Sequence, residues 1–98
     1  MIEIIQGDTL NITITVEQGA ELINELWFSC KALEISEKCT KIDDTHYMID
    51  FGSELTNNCN ERYLFFDITA MLKDNQVNTL IYNQEIRILK KENAINGN

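Results

Sequence analysis

The chain has 98 residues and a formal net charge of −8 at pH 7, from eight Lys and Arg against sixteen Asp and Glu. This length supports one domain with a single core and excludes large two-domain cofactor enzymes. The negative charge repels polyanions, so neither nucleic acid nor an anionic membrane surface is an expected partner.

The first predicted elements are two short strands joined by a turn. Residues 10–16 alternate strictly between apolar and polar side chains, which is typical of a strand with one buried face. The preceding Gln6-Gly7-Asp8-Thr9 contains a glycine that can adopt a positive φ and two side chains that can bond nearby backbone. We therefore predict a separate strand over residues 2–5 and a turn before residue 10.

The middle of the chain contains three further strand candidates. A single helical turn is compatible with residues 21–25. Residues 26–32 are rich in aromatic side chains and favour a strand, although their apolar spacing also suits one face of a helix. Residues 38–42 are a weak strand candidate, and residues 46–51, which lie between two turn-prone segments, are a stronger one.

The last third of the chain predicts a strand and a hairpin. A polar loop over residues 56–62 leads into residues 63–69, the most aromatic strand of the chain. Residues 77–82 and 85–89 flank Asn83-Gln84, which has the length of a two-residue hairpin connection and an Asn that tolerates the left-handed region. We therefore predict a hairpin centred on this dipeptide.

These seven or eight short strands predict an all-β fold, a small antiparallel sandwich or barrel. We expect one domain over residues 1–89 and a polar, flexible tail over residues 90–98. The three cysteines are too few and too widely spaced for a disulfide framework or a CxxC zinc site, so reduced thiols are expected. No signal peptide and no membrane-spanning apolar run is evident.

No residue pattern predicts a catalytic, metal or cofactor site. The single histidine, His46, lacks the partners of a recognisable triad or metal centre, and its pairing with Cys30 has no local signature. The acidic residues between 43 and 54 could supply oxygen ligands for calcium, but their spacing differs from that of a calcium-binding loop. We therefore expect a protein that is not an enzyme and binds no cofactor.

Two residues of the aromatic strand leave structural alternatives open. Asp67 either points outward between Phe66 and Ile68 or points inward and anchors loop backbone. Tyr63 either bonds back to nearby loop backbone as a tyrosine corner or packs as an ordinary core or surface residue. No partner that would make Asp67 a general base is visible.

The order of several short segments carries a resemblance. These segments are Gln6-Gly7-Asp8-Thr9 before an alternating strand, Glu54-Leu55-Thr56, Tyr63-Leu64-Phe65-Phe66-Asp67-Ile68, and Thr79-Leu80-Ile81-Tyr82 before Ile86-Arg87-Ile88. Together they resemble small immunoglobulin-like domains of phage tail and baseplate proteins, in particular the N-terminal domain of siphophage upper baseplate proteins. The resemblance implies an immunoglobulin-like β-sandwich with these fold-defining, non-binding positions: Gly7, Asp8, Thr9, Tyr63, Asp67 and Thr79.

The resemblance also implies a function, a non-enzymatic phage or prophage structural or assembly module. Such a module is made in the bacterial cytoplasm, becomes part of a virion, and contacts other phage structural proteins or itself. Independently, a β-rich chain without proline lacks one common protection of strand edges, so edge pairing with another chain is an expected contact. The alternative is a carbohydrate- or ligand-binding sandwich in which Trp27, Phe28 or Tyr47 stacks on the ligand instead of packing in the core.

Overall fold

The computed structural model describes residues 2–57 and 63–90, which form eight strands and two short helical segments. A 3-10 turn, Ala20–Leu22, precedes the third strand, and helix α1, Ser53–Asn57, follows the sixth. The strands are β1 Ile2–Ile5, β2 Leu10–Thr15, β3 Ile23–Cys30, β4 Ile35–Lys38, β5 Thr40–Lys41, β6 His46–Phe51, β7 Tyr63–Leu72 and β8 Val77–Leu89.

The strands form two sheets that enclose one apolar core, a β-sandwich-like arrangement. One sheet has five strands in the order β1-β8-β7-β3-β4, and the other has three in the order β2-β6-β5. The all-β prediction is therefore confirmed, but the prediction of a purely antiparallel sandwich is wrong. β1 pairs in parallel with the end of β8, from Ile2 opposite Ile86 to Ile5 opposite Leu89. This pairing is possible because the chain passes through both sheets between the two strands.

The core consists of alternate side chains from both sheets. In β2 the predicted alternation is confirmed, since every second residue from Leu10 is buried and the polar residues between them are exposed. β7 buries its alternate residues in the same way, among them Phe66. The ring of Phe28 stacks on that of Phe66 with a centroid distance of 5.0 Å and contacts Phe51 at 5.2 Å. Phe28 and Phe66 belong to the five-stranded sheet and Phe51 belongs to the three-stranded sheet, so the contact between Phe28 and Phe51 joins the two sheets.

The predicted hairpin at Asn83-Gln84 is wrong, because β8 continues through it without a turn. Asn83 has a φ of 54°, as a hairpin residue would, but here the left-handed conformation accommodates an irregularity in the pairing of β7 with β8. Phe66 lies opposite Gln84 and Ile68 lies opposite Ile81, so β8 contains one extra residue in this interval. Such an insertion is a β-bulge, which bends and twists the strand.

The remaining predictions differ from the structure mainly in where elements begin and end. Residues 26–32 lie largely in β3, which excludes the helical alternative, and the helical turn predicted for residues 21–25 is confined to Ala20–Leu22. Residues 38–42 contain the end of β4 and all of β5. The predicted loop over residues 56–62 begins in α1, and its residues 58–62 lie outside the described residues, as do residues 91–98 of the predicted tail. Within the described ranges, neither helical segment has the length and apolar content to cross a bilayer.

Candidate interaction surface

The turn between β1 and β2 has the conformation that its glycine allows. Gly7 has a φ of 93°, and the N–H of Asp8 donates to the carbonyl of Ile5 at 3.0 Å. A positive φ is strained for residues with a Cβ atom, so this turn accounts for glycine at position 7. The side chains of Asp8 and Thr9 are exposed beside it.

Thr56 of α1 fastens this turn from the inside of the molecule. Its side chain is buried, with 1 % of its surface exposed. The Thr56 Oγ1 accepts the N–H of Gly7 at 3.0 Å and donates to the carbonyl of Asp8 at 2.7 Å. The hydroxyl therefore satisfies one donor and one acceptor of a turn that lies 48 or more residues away in sequence. Thr56 belongs to a segment of the resemblance, but no local pattern predicts this role.

Asp67 stabilises the bulge of β8. Its side chain is half-buried on the outer face of the five-stranded sheet, and its Oδ1 accepts the N–H of Asn83 at 2.7 Å. The outward alternative is therefore confirmed and the inward one is wrong, and the outward carboxylate bonds backbone of the strand β8, not of a loop. A hydrogen bond to a charged acceptor is among the stronger kinds, so this carboxylate stabilises the left-handed residue at the bulge.

Tyr63 and Thr79 lie on the same outer face. Tyr63 begins β7 opposite Arg87 and is 43 % exposed, whereas Thr79 is exposed opposite Thr69. A tyrosine corner would contact the predicted loop before Tyr63, whose residues 58–62 lie outside the described residues, so that role stays a prediction.

The three aromatic residues proposed for ligand stacking do not share one surface. Phe28 and Tyr47 are 1 % and 2 % exposed, because their strand positions point towards the core, so neither side chain offers a face to a ligand. Trp27 points to the outer face and is half-buried; its Nε1–H donates to Glu25 at 3.3 Å. The same carboxylate lies 2.9 Å from the Lys38 ammonium, and the Lys38 and Trp27 donors together lower the pKa of Glu25.

His46 pairs with a carboxylate in the turn before β6. Its Nδ1 lies 2.8 Å from the Asp43 Oδ1, and the same oxygen accepts the backbone N–H groups of Thr45 and His46 at 2.9 Å each. These donors, Thr45 foremost and then the His46 ring, lower the pKa of Asp43 to about 2. This arrangement closes a turn at the start of a strand, a structural role for both residues.

The buried thiols have the environment of small apolar side chains. Cys30 and Cys39 both lie in the core, and burial raises the pKa of Cys39 to about 11. A thiol with so high a pKa is protonated at neutral pH and is a poor nucleophile and a poor metal ligand. Within residues 2–57 and 63–90, no group of three or more His, Cys, Asp or Glu side chains could hold a metal ion.

A shallow groove on the outer face of the five-stranded sheet is lined by polar and aromatic side chains. It has a volume of about 810 Å³ and is open to solvent. Phe65 and Tyr82 are exposed beside it, with 44 % and 79 % of their surfaces accessible. The groove, hereafter the outer groove, is also lined by Ser29, Lys31, Ser36 and Asp67.

Among the residues that the structure describes, no strand pairs with one side of the first half of β8, so this half is an open strand edge, and it exposes apolar side chains. β7 pairs along one side of β8, but β1 covers the other side only from Ile86 to Leu89. Val77 and Leu80 are 61 % and 45 % exposed in the uncovered part. Apolar side chains on an unpaired edge are a typical feature of surfaces that contact other proteins. We call residues 77–82 the β8 edge.

β2 is a second open edge, on the three-stranded sheet. It pairs with β6 from Leu10 opposite Phe51 to Thr15 opposite His46, and no strand of the described chain lies on its other side. The edge of β2 is regular, because its register with β6 contains no bulge.

Comparisons with protein-family models, with curated proteins and with solved structures gave no match to this chain. Among the described surfaces, the β8 edge, the open edge of β2 and the outer groove offer accessible binding groups, whereas the His46 turn and the buried thiols have structural environments.

Proposed function

We propose that this chain is a non-enzymatic structural or assembly module of a phage or prophage tail, with an immunoglobulin-like fold, that acts through protein–protein contacts. Its proposed partners are other phage structural proteins and further copies of itself. The tail setting is supported by the resemblance of the turn and strand segments, and the mode of action is supported by the surface of the molecule.

The β8 edge is the observation that carries the proposal. An unpaired strand offers a row of backbone donors and acceptors to a strand of another protein. Here the edge also exposes Val77, Leu80 and Tyr82, whose burial against a partner would contribute free energy to binding. The net charge of −8 adds selectivity, because it disfavours nucleic acids and acidic surfaces and favours partners with basic or neutral contact regions.

Binding to tail proteins tests the proposal directly. The full chain is immobilised, and the purified tail and baseplate proteins of the phage or prophage that encodes it are passed over it in biolayer interferometry. We expect binding to at least one of them, and a loss of affinity of about tenfold in Leu80→Thr, because burying a leucine contributes roughly 1.5–3 kcal/mol.

Ile42→Thr is the matched control, since Ile42 is 54 % exposed but lies outside the β8 edge. This variant should bind like the wild type. A chain that stays monomeric and binds none of the tail proteins would refute the proposal.

A second candidate function is binding of a carbohydrate or other small ligand in the outer groove. It is favoured by Phe65 and Tyr82, which present exposed rings beside the Asp67 carboxylate and the Lys31 side chain. These two residues replace Phe28 and Tyr47 as stacking residues, because the latter lie in the core. Aromatic rings flanked by polar groups are typical of sites that bind sugar rings.

A glycan array followed by titration calorimetry tests this alternative. Tyr82→Ala should abolish binding of any glycan that the wild type retains, and Tyr63→Ala, which alters an exposed tyrosine outside the groove, should not. Wild-type chain that retains no glycan would exclude carbohydrates as ligands of this groove.

A further inference from the structure

We infer that β2 is a self-association surface, at which a second copy of this chain adds its own β2 in antiparallel orientation. This inference rests on the proposed function and names one partner and one surface for it. The result is a two-fold symmetric dimer in which the two three-stranded sheets join into one continuous sheet.

The edge strands of the described chain differ in how well they are protected from pairing. Charged side chains and short length are the usual protections. β1 has four residues and carries Glu3, β4 has four and carries Glu37 and Lys38, and β5 has only two, one of them Lys41. β2 has six residues, all uncharged, and contains no proline. It is therefore the least protected complete edge strand in the part of the chain that the structure describes.

The absence of charge on β2 matters because two copies of this protein repel each other overall. Each copy has a net charge of −8. Like charges placed directly opposite each other on paired strands are destabilising. Residues 9–16 contain no charged side chain, so pairing along β2 brings no such charges into opposition. At physiological ionic strength the more distant charges are screened over about 8 Å.

The alternation of β2 makes the strand chemically complementary to itself. Residues that face each other in an antiparallel pair lie on the same face of the sheet. With the two-fold axis at Ile12, Leu10 lies opposite Ile14 of the second copy, and Asn11 lies opposite Thr13. Apolar side chains then adjoin apolar ones on the core side, and polar side chains adjoin polar ones on the solvent side. An axis at Thr13 preserves the same matching.

Registers that place the axis between two residues are disfavoured. Such a register opposes Ile12 with Thr13 and would turn an apolar side chain to solvent in one of the two copies. Thr13 and Asn11 are exposed in the described chain. The Asn11 amide nitrogen already donates to Asp50 of β6 at 2.9 Å, so the Asn11 side-chain oxygen and the Thr13 hydroxyl are the groups that can form the cross-strand polar pairs of the matched registers. Strict alternation and lack of charge thus favour a second copy over an unrelated strand.

Sedimentation velocity on the full chain, from micromolar to millimolar concentration at physiological salt, tests the inference. We expect a monomer–dimer equilibrium, with a dissociation constant in the micromolar range because a single strand pair gives a small interface. Hydrogen exchange of the β2 amides should slow as concentration rises, whereas the exchange of the β5 amides should not change.

Charge substitutions locate the contact. Thr13→Lys and Thr13→Glu should each weaken the dimer by about fivefold or more. With the axis at Thr13 the two like charges lie directly opposite each other, and with the axis at Ile12 they lie diagonally across the strand pair, about 7–8 Å apart. An equimolar mixture of the two variants should associate more strongly than either alone, because the charges become opposite. Thr40→Lys is the matched control, as Thr40 is exposed on β5 at the far edge of the same sheet, and it should dimerise like the wild type. Circular dichroism checks that all variants are folded.

The possible failures separate this inference from the proposed function. A wild-type chain that remains monomeric at millimolar concentration overturns the inference, and so does a dimer that Thr13→Lys and Thr13→Glu leave unchanged. If the monomeric chain still binds a tail protein in a manner that depends on Leu80, the proposed function stands without the dimer. If it binds none, both fail.

Discussion

Replacement of Thr56 by valine tests the contact that fastens the β1–β2 turn to α1. Valine has nearly the shape of threonine but no hydroxyl, so the N–H of Gly7 loses its acceptor and the carbonyl of Asp8 loses its donor. The side chain is 1 % exposed, which leaves little room for water to replace the hydroxyl. The substitution therefore leaves two polar groups unsatisfied without creating a cavity.

The expected loss follows from the number and burial of these groups. An unsatisfied buried polar group costs about 1–3 kcal/mol, and both hydrogen bonds here are only partly buried, so we expect a total loss of about 2–3 kcal/mol. Thr56→Ser keeps the hydroxyl and removes one methyl group, for which the expected loss is about 1 kcal/mol. The difference between the two variants isolates the hydrogen bonds from the packing.

Urea unfolding, followed by circular dichroism and by the fluorescence of Trp27, measures these free energies. The slope of the free energy of unfolding against urea should stay constant among the three proteins, since none of them changes the surface that unfolding exposes. Thr56→Val with wild-type stability, or Thr56→Ser as unstable as Thr56→Val, would refute the assigned role of the hydroxyl.

Three further predictions concern other polar or ionisable groups. The pKa of Asp43 is lowered from 3.8 to about 2, so the ionised carboxylate stabilises the fold above pH 3.8 and this stabilisation is lost as the pH falls towards 2. In acid unfolding, Asp43→Asn should therefore lose less stability over this interval than the wild type. Equal losses would contradict the prediction. In urea unfolding, Asp67→Ala should be about 1 kcal/mol less stable than the wild type, and its Asn83 amide should exchange hydrogen faster. Asp67→Asn keeps an acceptor and should show a smaller loss of stability and a smaller increase in exchange rate. Identical behaviour of the two variants would argue against the hydrogen bond from Asn83 to Asp67 as the anchor of the bulge. The pKa of Cys39 is raised from 9.0 to about 11, so as the pH rises the thiol ionises first in the unfolded state, and stability falls between pH 9 and about 11. The stability difference between the wild type and Cys39→Ala should shrink over that interval. A constant difference would refute the effect of burial.

Local alternation was sufficient to predict several strands of this fold. The period of two in β2 marks its core face, and the dense apolar and aromatic content of β3 and β7 agrees with their central positions in the larger sheet. In these segments the side chains that decide the conformation are neighbours in sequence. The glycine at position 7 was predictable for the same reason, since a positive φ is a local property.

The hairpin at Asn83-Gln84 could not be distinguished from a bulge by local sequence. An asparagine with a positive φ suits both, and the choice depends on whether the neighbouring strand continues. β7 runs from Tyr63 to Leu72, beyond the predicted residues 63–69, and the carboxylate of Asp67 supplies the acceptor for the bulge. The deciding interactions thus come from a different strand.

The parallel pairing of β1 with β8 and the role of Thr56 depend on contacts between residues distant in sequence. Ile2 lies opposite Ile86, and no local pattern records such a pairing. Thr56 is polar and lies at the start of a predicted loop, where exposure is the ordinary expectation. The open β8 edge could not be predicted for a similar reason, since the exposure of residues 77–82 depends on how far β1 extends along β8.

The small number of residues over which β1 pairs with β8 also affects the motions expected of the native protein. β1 buries only Ile4 among its four residues, and a salt bridge of 3.4 Å between Glu3 and Arg87 adds little in solvent. Local unfolding of this strand therefore requires far less free energy than global unfolding. While β1 is detached, no other strand of residues 2–57 or 63–90 pairs with that side of β8, and a β1 strand from a neighbouring molecule can occupy the vacated position. We therefore expect β1 strands to exchange between molecules at a rate that the opening of the β1–β8 pair sets.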